Sequence, residues 1–154
     1  MTKRMPALTI DVIDAMAPVS ADATRLRLLL RNLIDNALRH SAEAGEPPTL
    51  FLARHGSGAQ VQLELGVRDH GSGVTDEQLQ RLAEPFYRVD SARTRSAGGV
   101  GLGLALCKLV AQAHGGELLI ERARPGLRVA MRWMPAQRGP NEIDRPQDTP
   151  AGGA

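Results

Sequence analysis

Residues 23–41 read ATRLRLLLRNLIDNALRHS, and this stretch decides the fold. Its apolar side chains recur every three or four residues, the spacing of an amphipathic helix: Leu26, Leu29, Leu30, Leu33, Ile34, Ala37 and Leu38. Asp22 precedes the stretch and suits an N-cap, because its carboxylate can accept a hydrogen bond from a free N–H of the first turn. We therefore predict a long helix over about residues 23–41 with one buried face.

Alternating apolar residues on either side of this helix predict the strands. A first strand is expected around residues 8–12, two more at 49–53 and 61–67, and a C-terminal hairpin at 117–122 and 127–133. In the strand at 61–67 the alternation predicts one buried face, made by Val61, Leu63, Leu65 and Val67.

Two further helices are predicted. One spans about residues 76–83, with Thr75 as a possible N-cap, and the other about residues 101–114. The expected core stripe of the latter is Leu102, Ala105, Leu106, Leu109, Val110 and Ala113. The order of elements predicts an α+β fold, a two-layer sandwich with a mixed, mostly antiparallel sheet and about three helices on one face.

Composition narrows the class of protein. The 154 residues, 42% of them hydrophobic, suit one domain, which we expect at 6–136 between a linker or cloning remnant at 1–5 and a disordered tail at 137–154. No apolar run approaches the ~20 residues of a membrane-spanning helix. The single Cys107 favours a reducing compartment. Aromatic residues make up 3% and the arginines are dispersed, which argues against nucleic-acid binding. The four histidines lack metal-ligand spacing, so no zinc site is predicted.

A polar stripe on the long helix is the first candidate for chemistry. Asn32, Asn36 and Arg39 lie four and three residues apart, on one line at the border of the apolar face. Asparagine is unfavourable inside helices, and an amide oxygen is a ligand that magnesium accepts beside nucleotide phosphates. Two solvated polar residues remain the alternative interpretation.

Two glycine-rich segments are the other candidates. Asp69-His70-Gly71-Ser72-Gly73 follows a strand, where a carboxylate can accept from an exocyclic amine such as that of adenine; an ordinary turn is the alternative. Gly98-Gly99-Val100-Gly101-Leu102-Gly103-Leu104 opens a helix, where free N–H groups and the helix dipole favour phosphate; a flexible loop is the alternative. The chain between these two segments contains a long loop at residues 85–98, and Phe86 is expected to pin this loop to the core.

Together these segments resemble the catalytic and ATP-binding domain of bacterial sensor histidine kinases, within the wider superfamily of gyrase, chaperone, histidine kinase and mismatch-repair ATPases. The resemblance covers about residues 6–135. Four blocks appear in the family's order: an asparagine block at 31–41, a first glycine block at 69–74, a phenylalanine block at 84–90 and a second glycine block at 99–104.

The resemblance implies the role of each site residue. Asn36 would bind Mg²⁺, Asn32 would support the polyphosphate and Arg39 would meet the phosphates. Asp69 would bind the adenine amine, over a pocket floor of Gly71 and Gly73. Residues 86–100 would form a mobile lid over ATP, with Arg88 and Arg93 as lid contacts to phosphate. Gly99, Gly101 and Gly103 would form the phosphate-facing hinge of the lid, and Leu102 beside them is also expected to contact the nucleotide.

Two departures from the family's pattern bear on function. His40 stands where many relatives have a tyrosine against adenine, and it can stack there too. Asn32 stands where the gyrase and chaperone branches carry a glutamate that activates water, and an amide cannot act as a general base. This difference favours a kinase over a hydrolase.

The implied reaction is transfer of the γ-phosphoryl group of ATP to a histidine on a helical phosphoacceptor hairpin. That hairpin is expected to be missing from this chain, which would be a monomeric, cytoplasmic piece of a homodimeric kinase anchored in the inner membrane and acting on a response regulator. A serine kinase that regulates a sigma factor and a non-enzymatic ATP-sensing module remain the alternatives.

Overall fold

The computed structural model describes residues 8–12, 19–89 and 101–137. Three helices are present: α1 (Ala23–Ser41), α2 (Asp76–Arg81) and α3 (Gly103–Ala113). The strands are β1 (Thr9–Val12), β2 (Val19–Ser20), β3 (Thr49–His55), β4 (Gln62–Arg68), β5 (Glu117–Arg122), β6 (Leu127–Trp133) and β7 (Ala136–Gln137). The predicted termini 1–5 and the tail beyond residue 137 lie outside the described residues, so those boundaries stay predictions.

The main sheet has five strands in the order β1-β3-β4-β6-β5. β1 runs parallel to β3, and the other neighbours are antiparallel. β2 and β7, which the sequence did not indicate, form a separate two-stranded ladder. The mixed sheet and three helices confirm the predicted α+β class.

Helix α1 begins and ends where the sequence predicts. Asp22 is the N-cap and accepts a hydrogen bond from the Arg25 N–H at 3.0 Å. The buried residues of α1 are Leu29, Leu33, Ala37 and Ser41, which belong to the predicted apolar face or continue it by one turn. Leu29, Leu33 and Ala37 belong to the main core cluster together with Leu63 and Val67 of β4, so α1 anchors one layer of the sandwich.

Helix α3 buries only part of the face predicted. Val110 of the expected stripe is buried, together with Cys107 and Ala111, whereas Leu106 and Leu109 of that stripe are 37% and 61% exposed. Leucines and small residues each recur at helical spacing here, so periodicity alone could not choose between the two faces. The face with the small residues is the buried one because α3 lies close to α1. The Cys107 thiol is 3.7 Å from the Leu29 carbonyl oxygen.

The sheet face opposite the helices, which we call the outer face, is also partly buried. Glu64 of β4 is fully buried there, contrary to the single buried face that its alternation predicts. Its carboxylate pairs with the guanidinium groups of Arg128 and Arg132, the latter at 2.8 Å, and with the His55 imidazole at 2.9 Å. Arg128 also covers the Phe51 ring, 4.1 Å from its centroid. Arginine side chains thus cover this part of the sheet.

The pairing of Glu64 sets its charge state. Burial by itself raises the pKa of this carboxyl group, but hydrogen bonds from Arg132 and Arg128 outweigh burial, and the net pKa is lowered. The same pairing raises the pKa of Arg132. The outer face therefore holds a buried carboxylate that is charged at neutral pH.

Candidate nucleotide site

The polar stripe of α1 faces the start of α3. Asn32 donates its side-chain N–H to the Leu28 carbonyl oxygen one turn earlier, at 2.9 Å. The amide oxygen of Asn32, the other polar atom of this side chain, therefore points away from α1. A Cβ placed on Gly103 would lie 3.2 Å from this oxygen. Asn36 is partly buried one turn further on, and Arg39 is exposed. The stripe and the second glycine block thus meet at Asn32 and Gly103.

Asp69 follows β4 directly and is buried, with only 3% of its surface exposed. Both hydrogen bonds found to its carboxylate end on Oδ1, from the Gly71 N–H at 2.9 Å and the Leu127 N–H at 3.2 Å. Its own N–H donates to the Leu127 carbonyl oxygen at 2.8 Å. Four lone-pair directions are available to a carboxylate, so this one is held firmly and keeps capacity for a further donor.

The end of α1 packs against the first glycine block. A Cβ on Gly71 would lie 2.7 Å from the His40 carbonyl oxygen, so a larger residue would push this loop off the helix. The Ser41 hydroxyl, which is buried, accepts a hydrogen bond from the His70 N–H at 3.3 Å. The His70 side chain turns outward, with Nδ1 3.3 Å from the Glu46 carboxylate. Asp69, Gly71 and His40 therefore surround one end of the site.

The phenylalanine block meets the second glycine block through its backbone. Phe86 donates its N–H to the Gly101 carbonyl oxygen at 3.0 Å, and a Cβ on Gly101 would lie 2.9 Å from the Phe86 carbonyl carbon. The expectation that Phe86 pins this segment to the core is wrong, because 72% of its surface is exposed. Its φ of 66° differs from an extended or helical φ, and the backbone bond to Gly101 makes the connection instead.

The remaining predicted residues fall into two groups. Gly73 adopts φ +79 within the first glycine block, Leu102 is the N-cap position of α3, and Arg88 lines a shallow depression with Tyr87. Arg93 and Gly99 lie outside the described residues, as do residues 90–100 of the expected lid.

These contacts form one elongated site with two chemically different ends. Asn32 and the N-terminus of α3 form the first end, where backbone N–H groups favour an anion. Asp69, Gly71 and His40 form the second, where a buried carboxylate favours a donor group. His40 follows Asn32 by eight positions along α1, a span of about 12 Å at 1.5 Å per residue. Such a site suits a molecule with a base at one end and phosphates at the other.

Sequence reasoning missed a contribution from the hairpin between β5 and β6. Gly126 and Leu127 at its tip touch Asp69, although the sequence predicted no more than a hairpin between residues 117–122 and 127–133. Arg68 strengthens this junction by donating to the Ala123 carbonyl oxygen at 3.0 Å. The separation along the chain is too large for any local pattern to reveal these contacts.

The side chains at the Asn32 end of the site fit a magnesium ion that is held mainly by phosphate oxygens. Among the described residues no group of three or more histidine, cysteine, aspartate or glutamate side chains could hold a metal ion. Mg²⁺ bound with a nucleotide commonly takes only one or two protein ligands, and amide oxygens such as those of Asn32 and Asn36 are suitable.

Comparison with known proteins places these features in a family. The sequence model of the family described as "Histidine kinase-, DNA gyrase B-, and HSP90-like ATPase" matches residues 21–138. The match therefore covers most of the chain, including α1, the first glycine block and α3.

Similar proteins include sensor histidine kinases. The chain is 42% identical to sensor histidine kinase YkoH of Bacillus subtilis over 108 residues, which are 70% of this chain and 22% of that protein. It is 36% identical to the alginate biosynthesis sensor protein KinB of Pseudomonas aeruginosa over 123 residues, 80% of this chain and 19% of that one. The chain thus spans about a fifth of the curated relatives it matches.

A solved structure of similar fold is the mycobacterial sensor histidine kinase MprB. It superposes with a TM-score of 0.66 at 26% identity, covering 88% of each chain. No helix in the described part of the sequence is long and apolar enough to cross a membrane.

Proposed function

Because this chain belongs to the histidine kinase-, DNA gyrase B- and HSP90-like ATPase family, we propose that it binds ATP with Mg²⁺ and presents the γ-phosphate to a histidine of a separate phosphoacceptor hairpin. The observation that carries this proposal is the two-ended site: a buried carboxylate at one end of α1, and an asparagine stripe opposite a helix N-terminus at the other. The sensor histidine kinases among its relatives support the choice of acceptor.

The adenine end binds and orients the base. Asp69, fixed by the amides of Gly71 and Leu127, accepts a hydrogen bond from the exocyclic amine. His40 and the glycines border the base. A rigid acceptor of this kind selects one base, because a ligand that lacks the donor leaves a buried carboxylate unsatisfied.

The phosphate end positions the reacting group. The amide oxygen of Asn36 is a ligand of Mg²⁺, and Asn32 and Arg39 face the polyphosphate. The N–H groups at the start of α3 donate hydrogen bonds to phosphate oxygens. Bound Mg²⁺ supplies neutralisation of charge on the phosphates, the main requirement of phosphoryl transfer. Arg88 and Arg93 are proposed as further phosphate contacts, with Gly99, Gly101, Leu102 and Gly103 lining this end.

The identity of Asn32 supports transfer to a protein acceptor rather than to water. Its amide cannot remove a proton from a water molecule, and its N–H group is already engaged by the Leu28 carbonyl oxygen. In the proposal, position 32 therefore supplies no general base for attack by water. The nucleophile is a histidine of another domain, whose imidazole nitrogen attacks the γ-phosphorus with its own lone pair.

In this proposal the chain is one domain of a longer parent kinase. It contains the phosphoacceptor hairpin, forms a homodimer through it, and passes the phosphoryl group to a response regulator. The ATP-binding domain lies in the cytoplasm, and the parent is anchored in the bacterial inner membrane.

Mixing the chain with Mg²⁺, radiolabelled ATP and the dimeric hairpin of its parent tests the acceptor. Acid-labile label on a histidine is expected. Acid-stable phosphoserine on a partner would indicate the serine kinase instead, and ATP binding without transfer would indicate a sensing module.

Asn36→Ala tests the site. The variant is expected to lose at least about a hundredfold of the transfer rate, because magnesium loses its protein ligand. Asp35→Ala, at an exposed neighbouring position of the same helix, is the control and is expected to keep the wild-type rate. Normal histidine labelling by Asn36→Ala would refute the assignment.

A further inference from the structure

The tip of the β5–β6 hairpin lies directly behind the carboxylate of Asp69. The Leu127 N–H donates to Oδ1 at 3.2 Å, and its carbonyl oxygen accepts from the Asp69 N–H at 2.8 Å. This two-way pairing fixes both the backbone and the side chain of Asp69 to a hairpin more than fifty residues away in sequence. Gly126 precedes Leu127 and shares the contact.

Gly126 has no room for a side chain. A Cβ there would overlap the Asp69 carbonyl oxygen and would lie 2.6 Å from Oδ1 itself. Real Cβ atoms do not approach other atoms so closely, so either the hairpin or Asp69 must move when a side chain is added. The atoms in the way are the backbone carbonyl group and the carboxylate oxygen of Asp69, not the end of a flexible surface side chain.

We propose that Gly126 is a positioning residue for adenine selection: its missing side chain lets the hairpin approach Asp69 and aim the carboxylate at the exocyclic amine. This inference rests on the proposed function, since it concerns the same ATP site. Gly126 does not touch the nucleotide in this scheme. It acts through Asp69, and its effect is confined to the group on the base that Asp69 recognises.

A comparison of ATP with inosine triphosphate tests recognition at this edge of the base. The two nucleotides share the sugar and the phosphates; ATP has an amine at position 6 beside an unprotonated N1, whereas inosine triphosphate has an oxo group at position 6 beside an N1–H. The wild-type chain is expected to bind ATP more tightly by on the order of tenfold or more, the worth of a hydrogen bond to a charged group. Dissociation constants are measured by titration calorimetry with Mg²⁺ present.

Gly126→Ala is expected to bring the ratio of the two dissociation constants to within about twofold of one, chiefly by weakening ATP binding. A variant that is merely less stable loses affinity for both nucleotides by the same factor, because both need the folded chain. An unchanged ratio would therefore overturn the inference. A wild-type chain that binds neither nucleotide would overturn the proposed function instead.

Gly58→Ala is the matched control. Gly58 also lies in a strand connection with a positive φ, +62 against +87 for Gly126, but no atom lies within 4 Å of its added Cβ. Both variants carry the strain of an alanine at positive φ, and only one displaces Asp69. Gly58→Ala is expected to keep the wild-type ratio of the two dissociation constants. A ratio close to one in Gly58→Ala would contradict a specific role for Gly126.

Two further measurements separate the role from folding. In an Asp69→Asn background, Gly126→Ala is expected to have no further effect on the ratio, whereas independent effects would add. In the wild-type chain, ATP is expected to shift the amide proton resonance of Leu127 more than inosine triphosphate does, because this N–H donates to the same carboxylate. Equal shifts would overturn the inference even if Gly126→Ala fails to fold.

Discussion

Replacing Glu64 by glutamine tests the arginine cover of the outer face. The substitution keeps the size of the side chain but removes the charge that pairs with Arg128 and Arg132. Glu64 is fully buried, while the two arginine side chains are 28% and 32% exposed. Breaking a fully buried ion pair by removing one partner costs about 3–5 kcal/mol. Here the arginines regain part of their hydration, so we expect a loss of about 2–3 kcal/mol in the free energy of unfolding at pH 7.

Urea denaturation followed by tryptophan fluorescence measures this loss. Trp133 is the one tryptophan of the chain, is 5% exposed and lies next to Arg132 on β6, so its emission reports unfolding of this sheet. Glu121→Gln is the control on the same face. Glu121 is 53% exposed and contacts Arg128 at 3.4 Å, so its loss is expected to cost under about 0.5 kcal/mol. Equal effects of the two substitutions would refute the reasoning.

The dependence on pH gives a second test of Glu64. Its folded-state pKa is lower than the ordinary value of 4.5, so its ionised form stabilises the protein above that pH. The stabilisation is lost as the pH falls below 4.5 and through the folded-state pKa. The difference in unfolding free energy between wild type and Glu64→Gln is therefore expected to narrow on acidification, and a difference that widens would contradict the assignment.

Two further predictions concern the helices. Burial raises the pKa of the Cys107 thiol from 9.0 to about 12. At pH 8 iodoacetamide should therefore alkylate this thiol on the order of a thousandfold more slowly in the folded chain than in urea. Mass spectrometry measures the two rates, and comparable rates would contradict the burial of Cys107. Asp22→Ala removes the cap that accepts the Arg25 N–H and should lower the free energy of unfolding by about 1 kcal/mol in a urea titration, whereas an unchanged midpoint would contradict the capping role.

Local signals predicted the elements well where a cap and a period agreed. Asp22 and the leucine spacing fixed both ends of α1, and Thr75 caps α2 with a reciprocal bond to Gln78, as the sequence indicated. The hairpin strands β5 and β6 also have their predicted bounds. These features depend on residues within a few positions of one another, which a single sequence contains.

The features that the sequence could not predict depend on distant partners. Glu64 reads as a solvated residue in an alternating strand. The register with β6 places Arg132 opposite it, and the side chain of Arg128, which stands opposite Arg68, also reaches its carboxylate. The buried face of α3 depends on how closely α1 approaches. The roles assigned to Asn36, Asp69 and the other site residues came from the resemblance and stay predictions, although the fold brings Asn32 to Gly103 and His40 to Gly71.

The hydrogen bond between Phe86 and Gly101 closes the backbone into a ring at the edge of the site. The free energy of closing a loop rises only with the logarithm of its length, by about 0.6 kcal/mol for each doubling. By this relation, a change of a few residues in the length of the chain between Phe86 and Gly101 alters the free energy of closing the ring by roughly a few tenths of a kcal/mol. The length of this stretch can diverge among related proteins while the polar ends of the site stay fixed on α1 and β4.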